Sequence, residues 1–306
     1  MIVKVAAVQA APVYLDLQAS LEKARKLCDE AARLGAKVLV FPETWLPGYP
    51  AWLDCCRDVA LWDYAPVKKV FARLMENSVA IPGPAFDALR EMAIEHKIVL
   101  NMSVNERVTE GAGRGTLYNT MLTFGADGAL LNRHRKIMPT YTERMVWGKG
   151  DGASLKAVDT DAARIGGLIC WEHWMPLARQ ALHISGEEIH IAAWPQVKEM
   201  NLVASRHYAF EGRCYVIATG AIMQARELPE ELEPIESLKE NGDAFILNGG
   251  SAIIAPDGSI VAGPVFNEEI ILTADLDLSR IAEESLVLDV TGHYSRPDIF
   301  DLKVKV

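Results

Sequence analysis

The chain has 306 residues, half of them hydrophobic, and a net charge of −10. A chain of this size has the material for a large core. The acidic balance and the lack of a dense Lys/Arg patch argue against a nucleic-acid partner, and no apolar run approaches the ~18–20 residues that span a bilayer.

Ile2–Gln9 reads as a first strand rather than a leader, because no basic segment precedes it and Gln9 breaks the apolar run. Leu17, Leu21, Ala24, Leu27, Cys28, Ala31 and Leu34 recur at helical spacing across about 15–34, and Gly35 follows as a stop signal. Lys37–Phe41 is a short run of the kind buried on both faces of a sheet. Pro84–His96 repeats the helical pattern, and Ile98–Val104 returns to strand. Leu117–Phe124 and Ala129–His134 flank Gly125-Ala126-Asp127-Gly128, a hairpin signal. Ser251–Ala255 and Ser259–Ala262 flank Pro256-Asp257-Gly258 in the same way. Arg164–Cys170, Glu188–Ala193, Cys214–Thr219 and Glu269–Leu276 read as strands; Met175–Ile184, Asn201–Arg213 and Ser279–Leu288 read as helices. Strands dispersed among helices, with hairpins, indicate an α/β chain with mixed sheets. One domain over 1–306 is expected, with residues ~289–306 as a C-terminal tail. The acidic stretch Glu227–Glu240, with Pro229 and Pro234, is expected to be a mobile surface excursion.

The five cysteines, Cys28, Cys55, Cys56, Cys170 and Cys214, form an odd set without a regular framework, which points to a reducing compartment, the cytoplasm. No CxxC or HExxH pattern supports a redox motif or a zinc site.

Three segments place a chemically capable residue just past a buried strand, where ligands bind in open α/β sheets. Phe41-Pro42-Glu43-Thr44-Trp45-Leu46-Pro47-Gly48-Tyr49-Pro50 is a proline-rich loop that presents Glu43. Arg133-His134-Arg135-Lys136 follows the first hairpin and leads to Glu143 and the Gly-rich Trp147-Gly148-Lys149-Gly150-Asp151-Gly152. Taken alone this is a charged surface loop, and His134 reads as a surface histidine. In Gly166-Gly167-Leu168-Ile169-Cys170-Trp171-Glu172-His173 an apolar strand ends at a cysteine, the thiol counterpart of a nucleophile elbow. Burial as a structural thiol is the reading for Cys28 and also suits Cys55, Cys56 and Cys214. A Cys170–His173 dyad is a weaker alternative, since near sequence neighbours rarely supply the facing base.

Together these segments resemble the nitrilase branch of the carbon–nitrogen hydrolase superfamily, whose Glu, Lys and Cys arrive in that order from three strand ends. Glu43 in FPETWLPGYP, Lys136 in HRKIMPTYTERMVWGKGDG and Cys170 in GGLICWEHWMPL match the three motifs, and the likeness runs from VKVAAVQAAPVYLD to TGHYSRPDIF. The resemblance implies a four-layer α-β-β-α sandwich with two mixed sheets. It also implies a nitrile substrate attacked by Cys170 and hydrolysed by water, with no metal or organic cofactor. Glu43 would shuttle protons, Lys136 would stabilise charge on the substrate nitrogen, and Glu143 falls where the family carries a further glutamate. Self-association as a homodimer or higher oligomer is part of the same expectation. Tyr49, Trp147, Trp171, His173 and Trp194, which sit in or near the motifs, are candidates for a substrate pocket. The alternatives are an amidase or N-carbamoylase with the same triad, a silent binding scaffold, and a thiol redox protein.

Overall fold

In the computed structural model, which describes residues 1–305, strands and helices alternate along the whole chain. Val306, the last residue of the expected tail, lies outside the described residues. The first half contains β1 (Ile2–Gln9), α1 (Leu17–Arg33), β2 (Val38–Val40), α2 (Trp52–Cys55), α3 (Ala65–Glu76), β3 (Val79–Ala80), α4 (Pro84–His96), β4 (Val99–Arg107), β5 (Leu117–Phe124) and β6 (Leu130–Arg135). The second contains β7 (Val158–Asp159), β8 (Arg164–Ile169), α5 (Pro176–Ile184), β9 (Ile189–Ala193), α6 (Glu199–Gly212), β10 (Tyr215–Thr219) and β11 (Ile222–Gln224). It closes with α7 (Glu236–Lys239), β12 (Phe245–Ile254), β13 (Ile260–Phe266), β14 (Ile270–Asp277) and α8 (Ser279–Glu284).

Local chemistry sets the element ends. Asp16 caps α1 by accepting from the Ala19 N–H at 3.0 Å, and Pro84 opens α4, where its missing N–H costs nothing. The β5–β6 turn uses Gly128 at φ +79°, a left-handed conformation that favours glycine.

The strands form two seven-stranded mixed sheets, β14-β1-β2-β4-β5-β6 with β3 beside β4, and β11-β12-β10-β9-β8-β7 with β13 beside β12. Alternation along β1 shows how they stack. Val3, Val5 and Ala7 join a core with Ile165, Leu168, Ile191 and Ile217 of the second sheet. Ala6 and Val8 instead pack with Ala24, Cys28, Leu89 and Met92 of α1 and α4. Leu182, Ala204 and Tyr208 bring α5 and α6 onto the other side of the second sheet, giving the four-layer α-β-β-α sandwich.

A third apolar cluster joins Trp52, Leu53, Val70 and Leu74 to Leu228, Leu232 and Leu247. It corrects the expected mobile excursion. Leu228 and Leu232 are buried, and the Glu227–Glu240 segment is tied down by hydrogen bonds from Arg57 N to Glu233 O and from Ile235 N to Cys55 O. Its charges face outward while two leucines anchor it.

The topology positions the site. β2 and β4 are parallel, and β5 and then β6 reverse direction, so β2 and β6 end at the same edge of their sheet. Glu43 lies just past β2, Lys136 just past β6, and Cys170 just past β8 in the facing sheet.

Candidate active site

Each of the three arms is held by its own backbone contacts. The Glu43 N–H donates to the Trp194 carbonyl at 3.2 Å, pinning this loop of the first sheet to the end of β9 in the second. The Lys136 N–H donates to Asn119 O, and its carbonyl accepts from Gly150 N–H, both at 2.8 Å. Any side chain at Gly150 would put a Cβ 2.1 Å from the Arg135 carbonyl oxygen, so this approach requires glycine. Cys170 sits at φ +53° and opens a 3₁₀ turn, Cys170–Trp174. A non-glycine residue in that conformation costs about 1–2 kcal/mol, which the surrounding structure must offset. Thr44 beside Glu43 and Tyr141 before Glu143 are left-handed as well. All three arms therefore turn sharply at the site.

The side chains meet. Lys136 Nζ donates to Glu43 Oε1 at 2.8 Å and to Glu143 Oε2 and Oε1 at 2.7 and 3.0 Å. Asn119 Nδ2 donates to the same Glu43 oxygen at 2.6 Å. Tyr49 O–H donates to Glu143 Oε1 at 2.9 Å, and the Thr140 N–H donates to Glu143 Oε2 at 2.6 Å. Cys170 Sγ and one carboxylate oxygen of each glutamate lie within 4.8 Å of one another, and all three residues are buried. Such a trio could hold a cation, and the Lys136 ammonium already supplies a positive charge there. The Trp171 N–H is directed at the Cys170 sulfur. The other carboxylate oxygen of Glu43, Oε2, is buried without a hydrogen-bond partner.

Burial dominates the electrostatics. It lifts Glu43 to a pKa of about 7 from an ordinary 4.5; the Lys136 ammonium opposes the rise and Glu143 adds to it. Burial and then the Glu43 charge push the Cys170 thiol well above its usual range, against the pull of Lys136. Burial also works against the charge of Lys136, but Glu43, Cys170 and Glu143 outweigh it and hold its pKa above the ordinary lysine value. The resting site is thus a protonated thiol beside a fixed ammonium, with a carboxyl that titrates near neutrality. The groups titrate as one coupled set.

A cavity of about 910 Å³ opens over Cys170, bordered by Tyr49, Met138, Trp171, Trp174, Met175 and Leu247 among others. Tyr49 and Trp171, expected around a substrate pocket, are on its wall; Trp147, His173 and Trp194 are not. Trp147 is buried behind Lys136, its ring centre 5.9 Å from Nζ, and donates to Asn105 Oδ1 at 2.8 Å. His173 Nδ1–H donates to the Cys170 carbonyl at 2.7 Å, and its Nε2 meets His190 Nε2 at 3.0 Å. Both ring nitrogens are occupied, which leaves none for a Cys–His dyad. Burial first, then His190, holds His173 well below the ordinary histidine pKa. Trp194 is fully buried, stacks on His173 and donates to Ser205 Oγ.

His134 is not a surface histidine: it is 1% exposed, between Ser154 Oγ at 2.8 Å and Glu172 Oε2 at 2.9 Å. The neighbouring charges also have partners, since Arg133 and Arg135 both pair with buried Glu106. Asn119 and Glu172 also touch the cluster or its arms, though neither is marked out by the sequence. Asn119 carries no motif, and Glu172 is hidden inside the cysteine motif. Cys28, Cys56 and Cys214 are buried as structural thiols, whereas Cys55 is half-buried on the cavity wall.

Comparison with known proteins places these arms in context. The family model described as carbon-nitrogen hydrolase matches residues 4–284. A bifunctional nitrilase/nitrile hydratase of Lupinus angustifolius is 39% identical over 306 residues, 99% of this chain and 86% of the relative. An aliphatic nitrilase of Sinorhizobium fredii is 39% identical over 302 residues, 98% of this chain and 95% of the relative. Among solved structures, the carbon-nitrogen hydrolase from Helicobacter pylori G27 superposes with a TM-score of 0.74 at 19% identity, covering 97% of each chain. At that identity the likeness speaks for the fold.

Proposed function

The chain belongs to the carbon–nitrogen hydrolase family, and from that premise we propose that it hydrolyses an organic nitrile to the carboxylic acid and ammonia through a covalent Cys170 intermediate. The observation that carries this reading is the one buried, unpartnered carboxylate oxygen of Glu43 in the same cluster as the Cys170 sulfur and the Lys136 ammonium.

Glu43 takes the thiol proton as the sulfur attacks the nitrile carbon. A C–S bond forms, one C–N π bond breaks, and Glu43 passes the thiol proton to the nitrogen, giving a thioimidate and restoring the carboxylate. Lys136 stabilises negative charge that develops on that nitrogen, and later on the tetrahedral oxygen; the Trp171 N–H assists from the backbone. Glu43 then activates a water that adds to the thioimidate carbon, and ammonia leaves to give a thioester. A second water cleaves the C–S bond, releasing the acid and returning the proton to the thiol. A base with a pKa of about 7 can both accept and return protons near neutrality. Glu143, bonded to Lys136, Tyr49 and Thr140, orients the ammonium. None of these steps calls on a metal or organic cofactor.

The relatives named as nitrilases favour a nitrile over an amide substrate, and the apolar aromatic wall of the cavity suits an organic group larger than cyanide. The decisive assay measures ammonia release from phenylacetonitrile, an aliphatic nitrile and their amides by wild type and Cys170→Ala. Turnover of the nitriles by wild type alone supports the reading; turnover of the amides alone makes the protein an amidase.

The proposal extends to the setting. Residues 1–306 act as one domain, with a tail that runs past Gly152 at Val304 and Lys305. Leu177 and Ile184 on α5 and Val203 and Phe210 on α6 are exposed at matching helical spacings, which supports self-association through these two helices. Light scattering on wild type and Leu177→Glu tests it. Five unpaired thiols suit the cytoplasm. Among the described residues no helix is long and apolar enough to cross a membrane.

A further inference from the structure

The elbow that carries Cys170 and the loop that carries Lys136 belong to different sheets, yet one buried carboxylate touches both. Glu172 Oε1 accepts from the Ile137 N–H at 2.7 Å, one residue past Lys136. Its Oε2 accepts from the Ile169 N–H at 2.7 Å, one residue before Cys170, and from His134 Nε2 at 2.9 Å. We infer that Glu172 is a positioning residue, a clamp across the two sheets that sets the separation of the Lys136 ammonium from the Cys170 sulfur. The inference rests on the proposed role of Cys170 as nucleophile.

The chemistry of the contacts requires a carboxylate. Three N–H donors converge on two oxygens, and a carboxylate is acceptor-only. An amide in its place would turn an NH₂ group toward at least one of those donors. Burial opposes the charge on Glu172, but His134 and the two backbone N–H groups outweigh it and hold the pKa below the ordinary 4.5. Since the carboxylate can only accept, His134 Nε2 carries a proton. Nδ1 of the same ring lies 2.8 Å from the Ser154 hydroxyl. Ser154 follows the Gly-rich loop, so the chain Ser154–His134–Glu172 also braces the clamp from behind. Glu172 and His134 are each 1% exposed, which protects these contacts from competition by water. No atom of Glu172 takes part in the proposed bond changes; it acts through the two backbones it joins.

The test uses the full chain. Glu172→Gln, His134→Ala and His134→Gln are compared with wild type in phenylacetonitrile turnover and in the pH dependence of Cys170 alkylation by iodoacetamide, with Cys170→Ala as control. A misplacement of about 1 Å costs on the order of a hundredfold in rate. Glu172→Gln is therefore expected to lose about that factor in kcat with KM little changed, and its alkylation profile should move to higher pH. His134→Ala removes one of three donors and should lose about tenfold, while His134→Gln, whose amide can still donate, should recover most of the loss. A folded Glu172→Gln with wild-type kcat and alkylation profile overturns the inference. If that variant does not fold, His134→Ala decides: wild-type kcat overturns the inference, and a loss rescued by His134→Gln supports it. Activity persisting in Cys170→Ala would instead overturn the nitrile-hydrolysis reading on which the clamp rests.

Discussion

Glu43→Gln isolates the proton shuttle from the architecture around it. Glu43 Oε1 receives the Asn119 and Lys136 hydrogen bonds, and a glutamine oxygen can keep both. The amide nitrogen then replaces Oε2, the oxygen left without a partner, so what is lost is the acceptor for the Cys170 proton. General-base catalysis gives the size of the effect. A positioned general base contributes about 10²–10⁴ in rate, or about 3–5 kcal/mol of barrier. Burial also holds the Cys170 thiol above its usual range, so the protonated form is the one that must be deprotonated and the base is needed at neutral pH. Steady-state ammonia release from phenylacetonitrile across pH 5–9 (about the stable range of most proteins) measures it. Wild-type kcat/KM should rise through a pKa of about 7 as Glu43 loses its proton. In the variant that limb should vanish and kcat fall at least about a hundredfold. A Glu43→Gln enzyme within tenfold of wild type that keeps the limb near 7 would refute the assignment.

Other consequences are as concrete. Lys136→Met leaves Glu43 and Glu143 buried without the ammonium that joins them; chemical denaturation should register a loss of about 3–5 kcal/mol, largest at high pH where Glu43 is charged. Trp171, exposed on the cavity wall, should on replacement by alanine raise KM for phenylacetonitrile by up to about tenfold relative to a short aliphatic nitrile, with little change in Tm. Trp147→Phe strands the buried Asn105 Oδ1 and should cost about 1–3 kcal/mol of stability without altering nitrile preference. Glu187, held at a pKa of about 2 against its burial by His190 and His183, is a depressed acid. Its stabilisation is present above pH 4.5 and is lost as pH falls toward 2. Glu187→Gln should therefore flatten acid unfolding over that window, read as a smaller fall in the denaturation midpoint between pH 4.5 and about 2 than in wild type.

The parts of the molecule legible in its sequence are those where local pattern and tertiary demand agree. β1, α4 and β5 fall on the residues that periodicity assigns. Their strands are buried on both faces or their helices have a clear apolar stripe. The short α2 and β3 left no such trace, whereas α3 carries an apolar stripe of Val67, Val70, Phe71 and Leu74 yet is not among the helices assigned from the sequence. Glu227–Glu240 misled because its composition is acidic, while its attachment depends on two leucines and on backbone pairing with 55–57. At the site, each of Glu43, Lys136 and Cys170 follows a strand end, but Glu43 and the Lys136 segment taken alone read as surface loops, and it is the joint likeness to three family motifs that singles the three out. Asn119 and the clamp role of Glu172 could not be picked out, since each acquires meaning only through a partner tens of residues away. The aromatic residues show the limit most clearly. Trp171 and Trp147 each neighbour a motif, but one faces the cavity and the other lies behind Lys136, and only the packing of the two sheets distinguishes them.

The central claim is that the Cys170 sulfur bonds covalently to the substrate carbon. Rapid acid quench during phenylacetonitrile turnover, followed by peptide mass spectrometry, tests this directly. The account predicts a phenylacetyl adduct on the peptide containing Cys170 that forms within the first turnover and decays as substrate is exhausted. Full turnover with Cys170 unmodified, or the adduct on Cys55 at the cavity wall instead, would contradict it.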